Sequence, residues 1–405
     1  MDENKNPVKD WASDYDIFDD EYVKDPLPIW NELRSGCPIA HSTRWGGSWL
    51  ATRYADVQAM VRMVPALSNK APVVVPPPPE MRDEIKAYGV DSPPITSDPP
   101  EQITYRRLIL PFFAPKAVAA HREFTRTLCH QLIDGFIENG HCDAAADYAQ
   151  QLPPQVIAHL LGIDRSRCAE FVEWVRGTLE LGLTQPQVRI DNRRKIREFF
   201  AELVSARRIA PSDDLISKLL EADIEGQPIT DQGVIGICNL LLVAGIDTTW
   251  NSIGSALWHL AGHPEHRRRL VAEPELLPTA IEELLRFYSP VTMARKVTEP
   301  VSIGDVTFQP GDRVLLSFPA ANHDPTVFER AGEVVLDRQR NRHIAFGVGI
   351  HRCAGSNLAR MEMEVALQCW LERIPEFELS DPSAVTWVGG QVRGPRSIPV
   401  RFRTL

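Results

Sequence analysis

The chain has 405 residues, 43% of them hydrophobic, and a formal net charge of −10. That charge argues against a protein that grips nucleic acid by neutralising phosphates, while the length guarantees a deep interior. Seven cysteines, odd in number and without a CxxC pair, point to reduced thiols rather than a disulfide framework or a zinc cluster.

In chain order, the N-terminal MDENKNPVKDWASDYD is charged throughout and lacks the apolar core of a signal peptide, so a cytoplasmic location is expected, with residues 1–15 as a flexible arm. Ser48–Tyr54 alternates like a strand. Ala71–Glu80, APVVVPPPPE, and the following Ser92–Glu101 are too rich in proline for helix or central strand and read as a loop. Helical patterning runs from Glu101 to about Ala210. The longest helix is expected to start after Thr230 as N-cap and to stop where His263 meets Pro264. Its most apolar run, Gly233–Ile246, is too short to cross a bilayer, so no membrane span is expected.

The middle of that helix is apolar all round and must be buried, yet it carries Asp247, Thr248 and Thr249. An uncompensated buried carboxylate costs several kcal/mol, so Asp247 needs a partner or a chemical role. Ala244, Gly245 and Thr248 lie three and four residues apart, which puts small residues and a hydroxyl on one face. His259, His263 and His266 have spacing that suits zinc on an unbroken helix, but Pro264 interrupts it and a solvated turn is expected. Pro300–Phe318 and Ser397–Phe402 read as short strands. With no internal repeat and no long linker, the expected fold is mainly α with small β-sheets, as a single domain over residues 1–405.

Phe346–Gly355, FGVGIHRCAG, sets Cys353 between a glycine-rich loop and a helix. A phosphatase loop fails because position 359 is Ala and Arg360 comes one residue too late. A dinucleotide loop fails because Arg352 stands where the third glycine belongs. A metal thiolate remains, and with no other Cys or His at ligand spacing the metal must bring its own equatorial ligands, as haem does.

FGVGIHRCAG resembles the haem-binding loop of the cytochrome P450 monooxygenases. Three further stretches agree in order: Ser97–Arg107 resembles the start of that family's third helix, AGIDTT at Ala244–Thr249 its oxygen-binding stretch, and EELLR at Glu282–Arg286 its ExxR pair. The resemblance covers the chain from about Asp20 to its end and implies haem b with Cys353 as axial ligand of the iron. Phe346, Gly347 and Gly355 are implied to shape the thiolate side, Arg106, Arg295 and His351 to bind the propionates, and Ala244 and Gly245 to leave room for dioxygen. Gln102 stands where many relatives have a propionate-binding histidine. Asp247 and Thr248 are implied as the proton-delivery pair, and Glu283 and Arg286 as a structural salt bridge. Many relatives have an arginine as third partner of that bridge; an ungapped alignment puts Glu333 there, with Arg330 and Arg338 nearby.

The implied activity is insertion of one atom of O2 into a small apolar organic substrate, in a pocket shaped by Val291, Thr292, Met293 and Ala294 and by the loop at Val73–Val75, under a lid over Phe171–Phe200 that is broken at Leu181–Gln187. Electrons are expected from a separate ferredoxin or flavodoxin and an NAD(P)H-dependent reductase, docking near Arg107 and Arg352. The alternative from another class is a haem-thiolate gas sensor or carrier, which leaves Asp247 and Thr248 without a use.

Overall fold

The computed structural model describes residues 6–70, 73–81, 84, 91–224, 226–404. Ala71 and Pro72, the start of the proline-rich loop, therefore lie outside the described residues, as do residues 1–5 of the expected N-terminal arm. The described part of that arm is held: Arg44 donates to the Asn6 and Pro7 carbonyls and pairs with Asp14 at 2.7 Å, and Tyr15 is buried.

The helices that position the site are α1 (Glu101–Ile109), α2 (Arg122–Asp134), α3 (Leu152–Leu161), α4 (Cys168–Leu179), α5 (Pro186–Ile209), α6 (Asp231–Gly262), α7 (Leu277–Phe287) and α8 (Ser356–Arg373). Thr230 caps α6, its hydroxyl accepting from the Gly233 amide at 3.2 Å, and the helix ends one residue before the His263–Pro264 step. Helices α3, α4, α5 and α8 pack around α6, so it is the spine of the core. At 32 residues the complete helix is long and apolar enough to cross a membrane, which the run Gly233–Ile246 by itself is not. Burial decides the matter: 67% of its most apolar window lies inside the protein.

A five-stranded sheet lies to one side, built from β1 (Ile39–Ser42), β2 (Ser48–Ala51), β3 (Leu67–Ser68), β4 (Thr292–Val297) and β5 (Arg313–Ser317) in the order β1-β2-β5-β4-β3. Only the β2–β5 pair is parallel. A further strand, β6 (Gly394–Ser397), pairs with Thr386–Val388 and returns the C-terminal chain to α6. The expected lid is two helices, α4 and α5, separated by a short helical turn at Leu181–Thr184. Glycines let these pieces close on each other. A Cβ on Gly177 would fall 2.1 Å from Asn192 Nδ2, and one on Gly182 would fall 2.7 Å from Arg189 Cβ.

Candidate active site

The Cys353 loop is folded by its own backbone. Gly347 and Gly349 sit at φ 65° and 72°, a region open to glycine, and the Cys353 amide donates to the Phe346 carbonyl at 2.8 Å. Helix α1 docks on the loop through two side chains: Gln102 Nε2 donates to the Ile350 carbonyl at 2.7 Å, and Arg106 Nη2 to the Arg352 carbonyl at 2.6 Å. Gln102 thus spends its donor on the loop, and its buried Oε1 has no partner among the described residues.

Cys353 is exposed by surface area, yet burial pushes its thiol upward. The two facts are reconciled if the sulfur faces a recess inside the protein. The Gly355 amide, then Arg106, Arg352 and Arg360, pull the thiol back toward thiolate. Behind it, the Arg360 guanidinium lies 4.4 Å from the centre of the Phe346 ring. Glu282 grips Arg360 through two bonds of 2.6 and 2.8 Å and meets His343 Nε2 at 3.0 Å. Burial raises the Glu282 carboxyl, but Arg360 and His343 together hold it down to about 2. This clamp between α7 and α8 was not anticipated, because EELLR drew attention to its second glutamate.

That second glutamate, Glu283, and Arg286 form a fully buried pair with two bonds of 2.8 Å. Arg286 also donates to the carbonyls of Asn322, Ala331 and Glu333, locking α7 to the segment before the cysteine loop. The third side chain is Arg338, whose Nε donates to Glu283 Oε2 at 2.8 Å. Glu333 contributes only its carbonyl, and its carboxylate turns outward to Arg330.

Arg106, Arg295 and His351 converge, each acting electrostatically on His351 or belonging to it. Arg295 is 2% exposed, and among the described residues its only side-chain bond is to the neighbouring Ala294 carbonyl. Its Nε and His351 Nε2 are buried without partners among the described residues. Burial, then Arg295, pushes His351 down to about 4, and burial brings Arg295 to about 10. One carboxylate is near, Asp98, and it is already engaged by Ser68 Oγ and the Asn69 amide. A thiol with a buried arginine that has no ion pair among the described residues, and with Arg106 and His351 beside it, fits a porphyrin carrying two propionates.

On α6 the Thr248 hydroxyl donates back to the Ala244 carbonyl at 2.9 Å, and the Ser252 hydroxyl to the Thr248 carbonyl at 2.8 Å, which loosens this turn. Ala244, Gly245 and Thr248 keep some exposure within a helix otherwise buried here, so this face borders open space. Gly245 has a second use, since a Cβ there would come within 2.7 Å of Ile157 Cδ1 on α3. Asp247 turns the other way, to a buried network. Its Oδ1 accepts from Asn251 Nδ2 at 3.1 Å and Arg396 Nη2 at 3.2 Å, while Oδ2 has no partner among the described residues. Burial raises its carboxyl, with Arg396 opposing and Glu180 assisting. Sequence reasoning missed Arg396 and Glu180, for neither stands in a motif.

The pocket residues divide by the strand pleat. Met293 shares the face of Arg295, with Val291 just before the strand in the same alternation, whereas Thr292 and Ala294 point to the opposite side. Ala294 is fully buried there, in one apolar cluster with Leu50, Leu315 and Tyr15. Val74 and Val75 pack in the same cluster with Leu183. Of the three histidines, His259 bridges Tyr288 and His266 by 2.8 Å bonds and stacks on His263. Cys369 lies 3.8 Å from His130 Nε2 and near Glu372, but on α8, about 20 Å further along the helix than Cys353.

The fold and the residues around Cys353 fit a protein that would hold haem through a thiolate. A family model described as Cytochrome P450 matches residues 181–385. The chain is 33% identical over 87% of its length to mycinamicin IV hydroxylase/epoxidase of Micromonospora griseorubida, covering 89% of that protein. It is 31% identical over 94% of its length to the polyketide biosynthesis cytochrome P450 PksS of Bacillus subtilis, covering 96% of it. The solved structure of PksS superposes with a TM-score of 0.87 at 30% identity, over 96% of this chain and 99% of that one. The chain belongs to the cytochrome P450 family, whose bacterial members here include biosynthetic enzymes and hydroxylases, and it is an oxidoreductase of the monooxygenase class. The cofactor that family implies is haem held by a cysteine thiolate.

Proposed function

We propose that this enzyme, a single haem domain over residues 1–405, inserts one atom of dioxygen into an apolar organic substrate, with Cys353 as the ligand to the iron of haem b. When bound, thiolate-ligated haem supplies the activation of dioxygen. The protein's own side chains do the rest. The Gly355 amide with Arg106, Arg352 and Arg360 favours the thiolate form of Cys353, and Phe346 limits water at the sulfur. Arg106, Arg295 and His351 hold the propionates through charge-assisted hydrogen bonds.

Asp247 and Thr248 deliver protons. The observation that carries this reading is the buried Asp247 carboxyl, anchored through one oxygen with the other free, next in sequence to a hydroxyl that borders open space. Burial raises the proton affinity of that carboxyl and the charge of Arg396 opposes the rise, so the acid's readiness to exchange a proton is governed by this buried network. A gas sensor or carrier has no use for it. Val291 and Met293, on the Arg295 face of β4, line the substrate's side of the recess, under the lid formed by α4 and α5.

Electrons arrive from a separate ferredoxin or flavodoxin and its NAD(P)H reductase, attracted to the exposed Arg107 and Arg352 beside the cysteine loop. Work in the cytoplasm suits such partners. The test is turnover with a ferredoxin, a reductase, NADPH and isotope-labelled dioxygen, using substrates found by the spectral shift they cause on binding. One labelled oxygen atom per product is expected, and product labelled only from water would contradict the proposal.

A further inference from the structure

A second group of arginines lies apart from the propionate cations, where the lid meets the sheet. Arg189, near the start of α5, is 5% exposed, and its Nε is buried without a partner. Among the described residues no carboxylate forms an ion pair with it. The charges that act on it are both positive: Arg193, one turn further along the same face of α5, and Arg313, at the start of β5. Arg193 likewise has no carboxylate paired with it among the described residues. Burial, then these two cations, push Arg189 well below its ordinary range.

The base of Arg189 is held by its neighbours. Gly182 lies directly against its Cα and Cβ, and Gly177 lies directly against Asn192, so the turn at Leu181–Thr184 clamps the base of α5. Leu183 in that turn packs with Val74, Val75, Leu50 and Tyr15, which ties the lid to the proline-rich loop and the sheet. The Tyr15 hydroxyl meets Ser48 Oγ at 2.6 Å and feels the charge of Arg313. Beside them a surface cavity of about 220 Å³ is lined by Arg313, Ser48, Trp49, Gly46, Pro76 and Asp312. The one carboxylate in that lining, Asp312, is engaged by the Trp49 indole at 3.2 Å and the Gln309 amide at 2.9 Å.

A buried guanidinium without a counter-charge is costly, and an anion arriving from outside would remove that cost. We propose that Arg189 and Arg193, facing Arg313 across the seam between lid and sheet, bind a carboxylate carried by the substrate. The substrate is then an amphiphilic acid, with its acid end held at the lid and its apolar body toward the haem. This rests on the monooxygenase reading and narrows its substrate class. A guanidinium fork matches the two oxygens of a carboxylate, which explains arginine rather than lysine at position 189.

The test uses the haem-loaded protein with dodecanoate, dodecyl phosphate and dodecanol as probes. Binding is followed by calorimetry and by the change in haem absorption, near neutral pH and at low salt. Dodecanoate should bind about tenfold or more tighter than dodecanol. Arg189→Gln should bring that ratio close to one and Arg193→Gln should lower it, with dodecanol affinity unchanged. Should Arg189→Gln fail to fold, Arg193→Gln carries the same comparison. Equal affinity for acid and alcohol, no binding of either, or a ratio that neither substitution lowers would overturn the site. Dodecyl phosphate binding tighter than dodecanoate would overturn the carboxylate assignment. Loss of the family reading shows separately, as a ferrous carbonyl spectrum without a thiolate band, while calorimetry still reads the arginines.

Discussion

Arg396 Nη2 lies 3.2 Å from Asp247 Oδ1, and the same guanidinium donates to Glu180 at 2.9 Å and to Asn251 Oδ1 at 2.7 Å. One side chain from β6 therefore links the acid of α6 to the residue that follows α4, the first lid helix. Arg396 opposes the rise that burial imposes on Asp247, so its charge sets the carboxyl's proton affinity. Arg396→Gln should raise that affinity further and hold the acid protonated. Product formation should fall by about tenfold, and the acidic limb of its pH profile should move to higher pH, as read by product per NAD(P)H across pH.

Thr248 is expected to act through its hydroxyl rather than its bulk. Thr248→Ala should keep substrate binding and continue to consume NAD(P)H, but release peroxide in place of most of the product. Peroxide and product assays on one reaction check this, and Thr248→Ser should restore much of the coupling.

The lock around Glu283 makes a sharp distinction between two neighbours. Arg338→Ala removes a charged bond to a fully buried carboxylate and should cost about 1.5–3 kcal/mol of stability, with poorer haem retention. Glu333→Ala removes an exposed pair with Arg330 and should change little. Glu283→Gln strands Arg286 and should cost about 3–5 kcal/mol. Denaturant unfolding with haem absorbance as the probe ranks the three.

Glu362 on α8 is 1% exposed, has no partner for either oxygen among the described residues, and is pushed well above its ordinary range by burial. Below the titration of an unfolded carboxyl, both states are protonated and pH does not matter. Above it the unfolded chain ionises first, so stability is lost at up to about 1.4 kcal/mol per pH unit until the folded carboxyl also titrates. Glu362→Gln removes that slope. Its advantage in melting temperature over the natural chain should widen as the pH rises above about 5.

The parts of the site that the sequence reveals are those whose partners stand within one turn or one loop. The glycines around Cys353, the Asp247–Thr248 step, the Glu283–Arg286 spacing and the Thr230 cap are local, and their geometry follows from residue type and distance along the chain. Arg396 and Asp247 are 149 residues apart, and Arg338 and Glu283 are 55 apart; the charges meet only once the chain has folded. The pocket strand shows the same limit, because a run of four neighbours reads as one surface until the pleat assigns alternate residues to opposite faces. Arg189 was passed over for a related reason: in a helix so rich in arginine, nothing but burial distinguishes it from the solvated ones.

The central claim is that Cys353, and no other cysteine, ligates the haem iron. Ferrous carbonyl spectra of Cys353→Ala and Cys369→Ala measure it directly, Cys369 being the sulfur in a second grouping of ligand type. The account predicts that Cys369→Ala keeps the red-shifted thiolate Soret band and that Cys353→Ala loses it. A band that survives in Cys353→Ala, or disappears in a folded, haem-loaded Cys369→Ala, would contradict it.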